Sequence, residues 1–133
     1  PHGLISLGDP VRGLGSLNSK FAVTTVTITP NTNVVNQGSI TCKRSGNVCV
    51  VHIDAFRPKQ SGNSQTLATG LPKAAIQGQS PLDGTTYSNN TAIRASGDGC
   101  WIAENGTTLM CHIGTSASLD LQRYATITYL IKE

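Results

Sequence analysis

This chain has little charge. Lys, Arg, Asp and Glu make up 13 % of its 133 residues, about half the usual share. The basic excess is only +3 and it is scattered, with Lys43 and Arg44 at one turn and Arg57 and Lys59 in another loop. Without a basic stripe interleaved with aromatics, nucleic acid is not expected as a partner. Aromatics are also scarce, at 5 %, with a single Trp. No apolar run approaches the ~20 residues of a membrane span, so no membrane insertion is expected. A signal-peptide pattern is missing too, but the chain begins at Pro1 rather than Met, which reads as a fragment or a processed product. Helical periodicity is nearly absent. Only Thr66 to Ile76 offers a turn or so, and Gly70 and Pro72 argue against more.

What is abundant is Thr, Ser, Asn, Gly and Gln, arranged around β-prone runs. Two hairpins stand out. In Thr41 to Val50 a two-residue Ser45-Gly46 turn places Cys42 across from Cys49, and in Cys100 to Cys111 an Asn105-Gly106 turn places Cys100 across from Cys111. Asn-Gly between β-prone runs is the strongest short hairpin signal, because both central residues of a type I′ turn need positive φ. Counting outward from two-residue turns, both cysteine pairs fall at hydrogen-bonded positions, with Cα atoms ~5.5 Å apart. That spacing admits two pairs of buried thiols or two cross-strand disulfides. The intervening spacings are not those of zinc knuckles, and no metal or cofactor is implied.

Along the chain, residues 1–20 form a Gly-spaced segment in which Leu4, Ile5, Leu7, Val11, Leu14 and Leu17 sit between Gly3, Gly8, Gly13 and Gly15. It is too apolar for a solvated linker and is expected to lie against a partner surface, other copies of the chain included. Residues 21–133 read as one head domain. Phe21 to Thr29 reads as one strand, and Gly38 to Lys43 with Asn47 to Phe56 as the first hairpin, whose core face holds Ile40, Cys42, Cys49, Val51 and Ile53. Arg57 to Ser64 reads as a polar loop. Short strands follow at Gln65 to Thr69 and Leu71 to Ile76, then a long polar loop from Gln77 to Asn90. Thr91 to Ala95, Cys100 to Ala103, Thr107 to Ile113 and Asp120 to Lys132 complete the strands. Many short strands with turn residues between them predict an all-β fold, an antiparallel sandwich or jelly-roll-like head.

No catalytic constellation stands out. His52 and Asp54 share the face opposite the core, as a base and its orienter would, but no nucleophile accompanies them and a surface or interface pair is the simpler reading. Glycosidase chemistry needs two facing carboxylates, and nothing brings two of the seven acids together. The expectation is therefore a protein that is not an enzyme. A binding reading has more support. Trp101 falls on the opposite hairpin face from Ile102 and Leu109, beside Met110 and His112, where its ring offers a stacking surface for a sugar. Asp98 and Arg94 are near in sequence and suited to grip hydroxyls. Tyr87, in the long Asn-rich loop, is a reserve candidate. The plainer alternative is that Trp101 packs under a loop or at a subunit contact.

The stretch Arg44-Ser45-Gly46-Asn47-Val48-Cys49-Val50-Val51-His52-Ile53, followed by Thr69-Gly70-Leu71-Pro72-Lys73, resembles a pattern of C-terminal domains in phage tail-fibre and baseplate proteins. The closing strand Tyr124-Ala125-Thr126-Ile127-Thr128-Tyr129-Leu130 is similar to theirs as well. The resemblance covers residues 21–133, with the Gly-rich start as a neck; the cysteines of the second hairpin have no counterpart in it. It implies a homotrimeric β head in the virion, at a tail tip or baseplate, assembled in the host cytoplasm. Such a head binds saccharide on a bacterial surface and contacts other tail or baseplate proteins. It carries over no particular binding residue. Two further readings stay open, a structural trimerisation or attachment domain of a tail protein and a bacterial surface adhesin domain.

Overall fold

A computed structural model of the chain describes residues 22–76, 78–88, 91–95, 98–114 and 119–132, with the backbone alone for 83–88 and 91–95. The Gly-spaced segment 1–20 lies outside the described residues. Among the described residues there is no helix. The strands are β1 (Thr24–Val26), β2 (Thr29–Pro30), β3 (Val35–Ser45), β4 (Val48–Pro58), β5 (Gly62–Thr69), β6 (Gln79–Pro81), β7 (Asp83–Ser88), β8 (Thr91–Ala95), β9 (Gly99–Ile102), β10 (Thr108–Ile113) and β11 (Arg123–Leu130).

These strands form two antiparallel sheets packed face to face as a β-sandwich. The first, of six strands, runs β1-β3-β4-β11-β7-β8; the second, of five, runs β2-β5-β10-β9-β6. Period-two alternation builds the core between them. In β11, Arg123, Ala125, Ile127 and Tyr129 turn inward while Tyr124, Thr126, Thr128 and Leu130 turn out. In β10, Leu109, Cys111 and Ile113 are buried. The side chains of Ile53, Leu67, Ile102 and Leu109 are at most 1 % exposed, and burial of each contributes about 1.5–3 kcal/mol before entropy is counted.

The first hairpin has the expected core face but not the expected register. Ser45 pairs with Val48, so Cys42 lies opposite Val51 and Cys49 opposite Arg44. The turn residues are Gly46 and Asn47, not Ser45 and Gly46. Gly46 has φ 58° and Asn47 a negative φ, the order of a type II′ turn, whereas a Ser45-Gly46 turn of the right twist would force Ser45 to positive φ. The shift is two residues, so every side chain keeps its face. Cys42 and Cys49 become diagonal neighbours in the core, their sulfurs 3.4 Å apart.

In the second hairpin Cys100 does pair with Cys111, but at a non-hydrogen-bonded position. The loop closes through Ala103 N–H to Thr108 O at 2.8 Å, while Ile102 N–H turns the other way to Gly78 O. Asn105 Oδ1 accepts from the amides of Thr107 and Thr108, which builds a four-residue loop and inverts the expected parity.

Three further expectations are corrected. The run from Phe21 to Thr29 is not one strand: β1 joins β3 in the first sheet and β2 joins β5 in the second. Val26 and Ile28 both pack against the core across this crossing. The polar stretch from Gln77 to Asn90 is not a loop, since it contributes β6 and β7. Leu71 to Ile76 is not a strand and makes only an isolated bridge, Ala74 to Ile131. β3 and β4 carry a bulge, where Gly38 (φ 103°) faces Ala55, a residue held at φ 51°.

Candidate functional site

The outer face of the second sheet presents two cross-strand rows. Register places Gln79 (β6), Trp101 (β9), Met110 (β10) and Thr66 (β5) in one row, and Pro81, Gly99 and His112 in the next. Trp101, Met110 and His112 alternate with the buried Cys100, Ile102, Cys111 and Ile113, and all three are half-buried. Trp101 therefore stands on the outer face, as its position in the hairpin predicts. Thr66 Oγ1–H reaches Met110 Sδ at 3.7 Å, and Asn31 Nδ2–H holds the Thr66 carbonyl at 2.8 Å, fixing that end of the row. Gly99 puts no side chain between Pro81 and His112 in the second row. β9, which carries Trp101, is paired on both sides, with β10 and with β6.

Asp98 does not join this surface. Its carboxylate lies in the interior, with Oδ2 accepting from Arg123 Nε at 2.7 Å and Oδ1 from the Gly114 amide at 2.8 Å. The side chains of Arg123 and Asp98 are 0 % and 1 % exposed, and Arg123 Nη1 donates to the Leu121 carbonyl at 2.7 Å. A carboxylate held this way ties β9 and the end of β10 to β11, across the two sheets, and has no free edge for a hydroxyl. Its nearest link to the outer face is Gly114: a methyl added there would meet both Asp98 Oδ1, at 3.5 Å, and His112 Nε2, at 3.4 Å. Sequence reading missed Arg123. The signal was its phase, two residues before Ala125 and four before Ile127 on the inward face of β11.

Tyr87 and Arg94 belong to the other sheet, on the β7–β8 edge hairpin, where Tyr87 pairs with Ala92 and Arg94 with Thr85. Their side chains lie outside the described residues. His52 is exposed on the outer face of the first sheet and its Nδ1 pairs with Thr126 Oγ1 at 2.9 Å.

The four cysteines are free and buried. Burial pushes the Cys42 thiol up to about 12, with Cys49 adding to the rise. Burial likewise raises Cys100 and Cys111 to about 12, and the Asp98 carboxylate contributes at Cys111. Thiols held protonated in this way are packing groups rather than nucleophiles. Tyr129 is raised too, chiefly by burial, and its hydroxyl donates to the Pro72 carbonyl at 2.7 Å. Comparison with protein-family models, with curated proteins and with solved structures gives no match.

Proposed function

We propose that this domain is a non-enzymatic attachment module that binds saccharide on a bacterial surface, in the manner of a receptor-binding head of a phage-like tail or baseplate. The observation that carries the reading is Trp101, half-buried on the outer face of a strand paired on both sides. An indole face covers the apolar C–H side of a pyranose, and a planar ring loses little entropy on binding. Gln79 on one side and His112 on the diagonal supply hydrogen-bonding groups at the distance of neighbouring strands, the work first assigned by sequence to Asp98 and Arg94. Contacts of this kind are individually weak. A homotrimer, the assembly proposed here, would present three such faces to one cell surface and gain by effective concentration.

The test is Trp101→Ala in the full chain, with melting temperature and sedimentation checked against wild type. Binding to an array of bacterial surface saccharides should then fall by at least about tenfold, the loss of roughly 1.4 kcal/mol. Full binding by the variant removes Trp101 from the site. Reducing ends released from a bound saccharide by the wild type would overturn the non-enzymatic reading. A second reading, a structural assembly domain, is favoured by one observation: exposed apolar side chains gathered at one end of the opposite sheet.

A further inference from the structure

One end of the outer face of the first sheet carries an apolar row. Thr24 pairs with Arg44, so Val23 is level with Ser45; Ser45 pairs with Val48, and Val48 with Leu130. The amide of Ala75 donates to the Leu130 carbonyl at 2.8 Å and brings Ile76 alongside. Val23, Val48, Leu130 and Ile76 are exposed by 67, 39, 54 and 72 %. Val48, Leu130 and Ile76 line a cavity of about 330 Å³ whose walls also include Thr128 and Tyr129. That volume stands at the bottom of the range for ligand sites, about 300–1,000 Å³, and is suited to one large side chain.

Lysines flank the row on both sides. One step along the strands, on the same face, Lys43 stands opposite Val50, and Val50 opposite Thr128 of the cavity wall. The Lys43 ammonium rests on Thr25 Oγ1 at 2.9 Å. One step the other way, Ala74 bridges to Ile131, and the Lys132 amide donates to the Lys73 carbonyl at 2.7 Å. Lys73 and Lys132 are therefore directly opposite each other and both exposed, a like-charge pairing that repels. Among the described residues the one ion pair is Asp98 with Arg123, so no carboxylate answers these three lysines. The acid of β4, Asp54, is six residues from Val48, about 20 Å along the strand. Glu104, in the loop whose Gly106 carbonyl accepts from Ala74, makes no ion pair with Lys73.

We infer that the row docks an acidic segment of a partner protein, in extended form, with a large apolar residue two positions from an Asp or Glu on either side. The apolar residue fills the cavity, and the carboxylates meet Lys43 at one end and the Lys73–Lys132 pair at the other. Spacing sets the pattern. The two lysine steps are four residues apart along the strands, about 13 Å, which an extended peptide also covers in four residues. Acid, apolar and acid residues at i, i+2 and i+4 then share one face of the incoming chain. A saccharide fits the row poorly, because Val48, Leu130 and Ile76 offer its hydroxyls no partner. Trp101 belongs to the other sheet, so the inference stands or falls apart from saccharide binding.

The probe is a fluorophore-labelled peptide, Gly-Glu-Thr-Leu-Thr-Glu-Gly, titrated with the full chain and read by anisotropy. One control carries Lys in place of each Glu, and the other carries Ser in place of Leu. The acidic Leu peptide should bind at least about tenfold more tightly than either control. Its affinity should fall by about threefold or more between about 50 and 500 mM salt, because exposed charges are screened. Ile76→Ser and a Lys73→Ala, Lys132→Ala double variant, all at exposed positions and checked for unchanged melting temperature, should each weaken binding by about threefold or more. Trp101→Ala should leave it unchanged. No saturable binding up to about 2 mM peptide, equal binding of the charge-reversed control, or full binding by Ile76→Ser overturns the inference. Salt-sensitive binding of polyglycerol phosphate that survives Ile76→Ser, with no preference for the acidic Leu peptide, assigns the lysines to an anionic polymer and overturns it. Self-association between roughly 1 and 100 µM protein that Ile76→Ser abolishes assigns the row to a second copy and overturns it as well.

Discussion

Replacing Asp98 by Ala should be among the most damaging single changes in this protein. The substitution leaves Arg123 fully buried without its carboxylate, and it removes the acceptor of the Gly114 amide as well. Breaking a buried pair from one side costs about 3–5 kcal/mol, because the remaining charge stays out of water without its counter-ion. For a chain of this size about 3–4 °C of melting temperature accompanies each kcal/mol, so a fall of roughly 10–20 °C follows. Asp98→Asn keeps one acceptor but turns an amide N–H₂ toward one of the two donors, and should fall between wild type and Asp98→Ala. The double variant Asp98→Leu, Arg123→Met removes both charges together. It should recover much of the loss, since a buried ion pair and a well-packed apolar pair differ little in stability. Reversible thermal unfolding and urea titration of wild type, Asp98→Leu, Arg123→Met and the double variant make the cycle. Because the pair is out of contact with water, added salt should leave the Asp98→Ala deficit nearly unchanged. A deficit below about 1 kcal/mol, or losses that simply add in the double variant, would refute the assignment of this pair as the staple between the sheets.

Two other expectations follow from the backbone and the thiols. Gly38→Ala places a methyl 2.5 Å from the Ala55 carbonyl oxygen at φ 103°, and should cost about 2–3 kcal/mol by urea unfolding; a cost under about 0.5 kcal/mol would mean the bulge relaxes freely. Cys42, Cys100 and Cys111 rise from an ordinary 9.0 to about 12 on folding. Above pH 9 the unfolded chain therefore sheds protons that the folded chain keeps. The stabilisation is whole below pH 9 and is lost as pH rises toward 12, at about 1.4 kcal/mol per pH unit for each thiol. Urea midpoints flat from pH 8 to roughly 11 would contradict this, as would labelling of the native protein by a thiol-specific disulfide reagent at pH 8.

The all-β fold was legible because alternation and turn chemistry are local. Ile40, Cys42, Cys49, Val51 and Ile53 share one face whichever of two registers the hairpin takes, since a two-residue slip preserves phase. What sequence could not settle was which residues occupy the turn. Gly46 serves equally in a Ser-Gly or a Gly-Asn reading, and only the twist demanded by the paired strands decides for Gly46-Asn47. The stretch from Gln77 to Asn90 failed for a different reason. Polar residues with little alternation gave no strand signal, yet β6 finds its partner in β9, and β7 in β8 and β11. Pairing across the chain overrode weak local preference.

The site divides along the same line. Trp101 was correctly assigned to the outer face because its phase against Ile102 is a property of one strand. Asp98 was drawn to it by nearness in sequence, and nearness in sequence says nothing about direction at the entrance to a strand. The partner that takes Asp98 inward, Arg123, lies 25 residues away, on a strand where every other inward side chain is uncharged. A lone Arg in the buried phase of an apolar strand is itself a signal, because a guanidinium cannot shed its charge and must bring a carboxylate or several carbonyls into the core with it. With seven acids in the chain, few could answer that demand. Followed in that direction, from the buried cation to its anion, the sequence would have withdrawn Asp98 from the surface and left Trp101 to the neighbours that flank it across the sheet, Gln79 and His112.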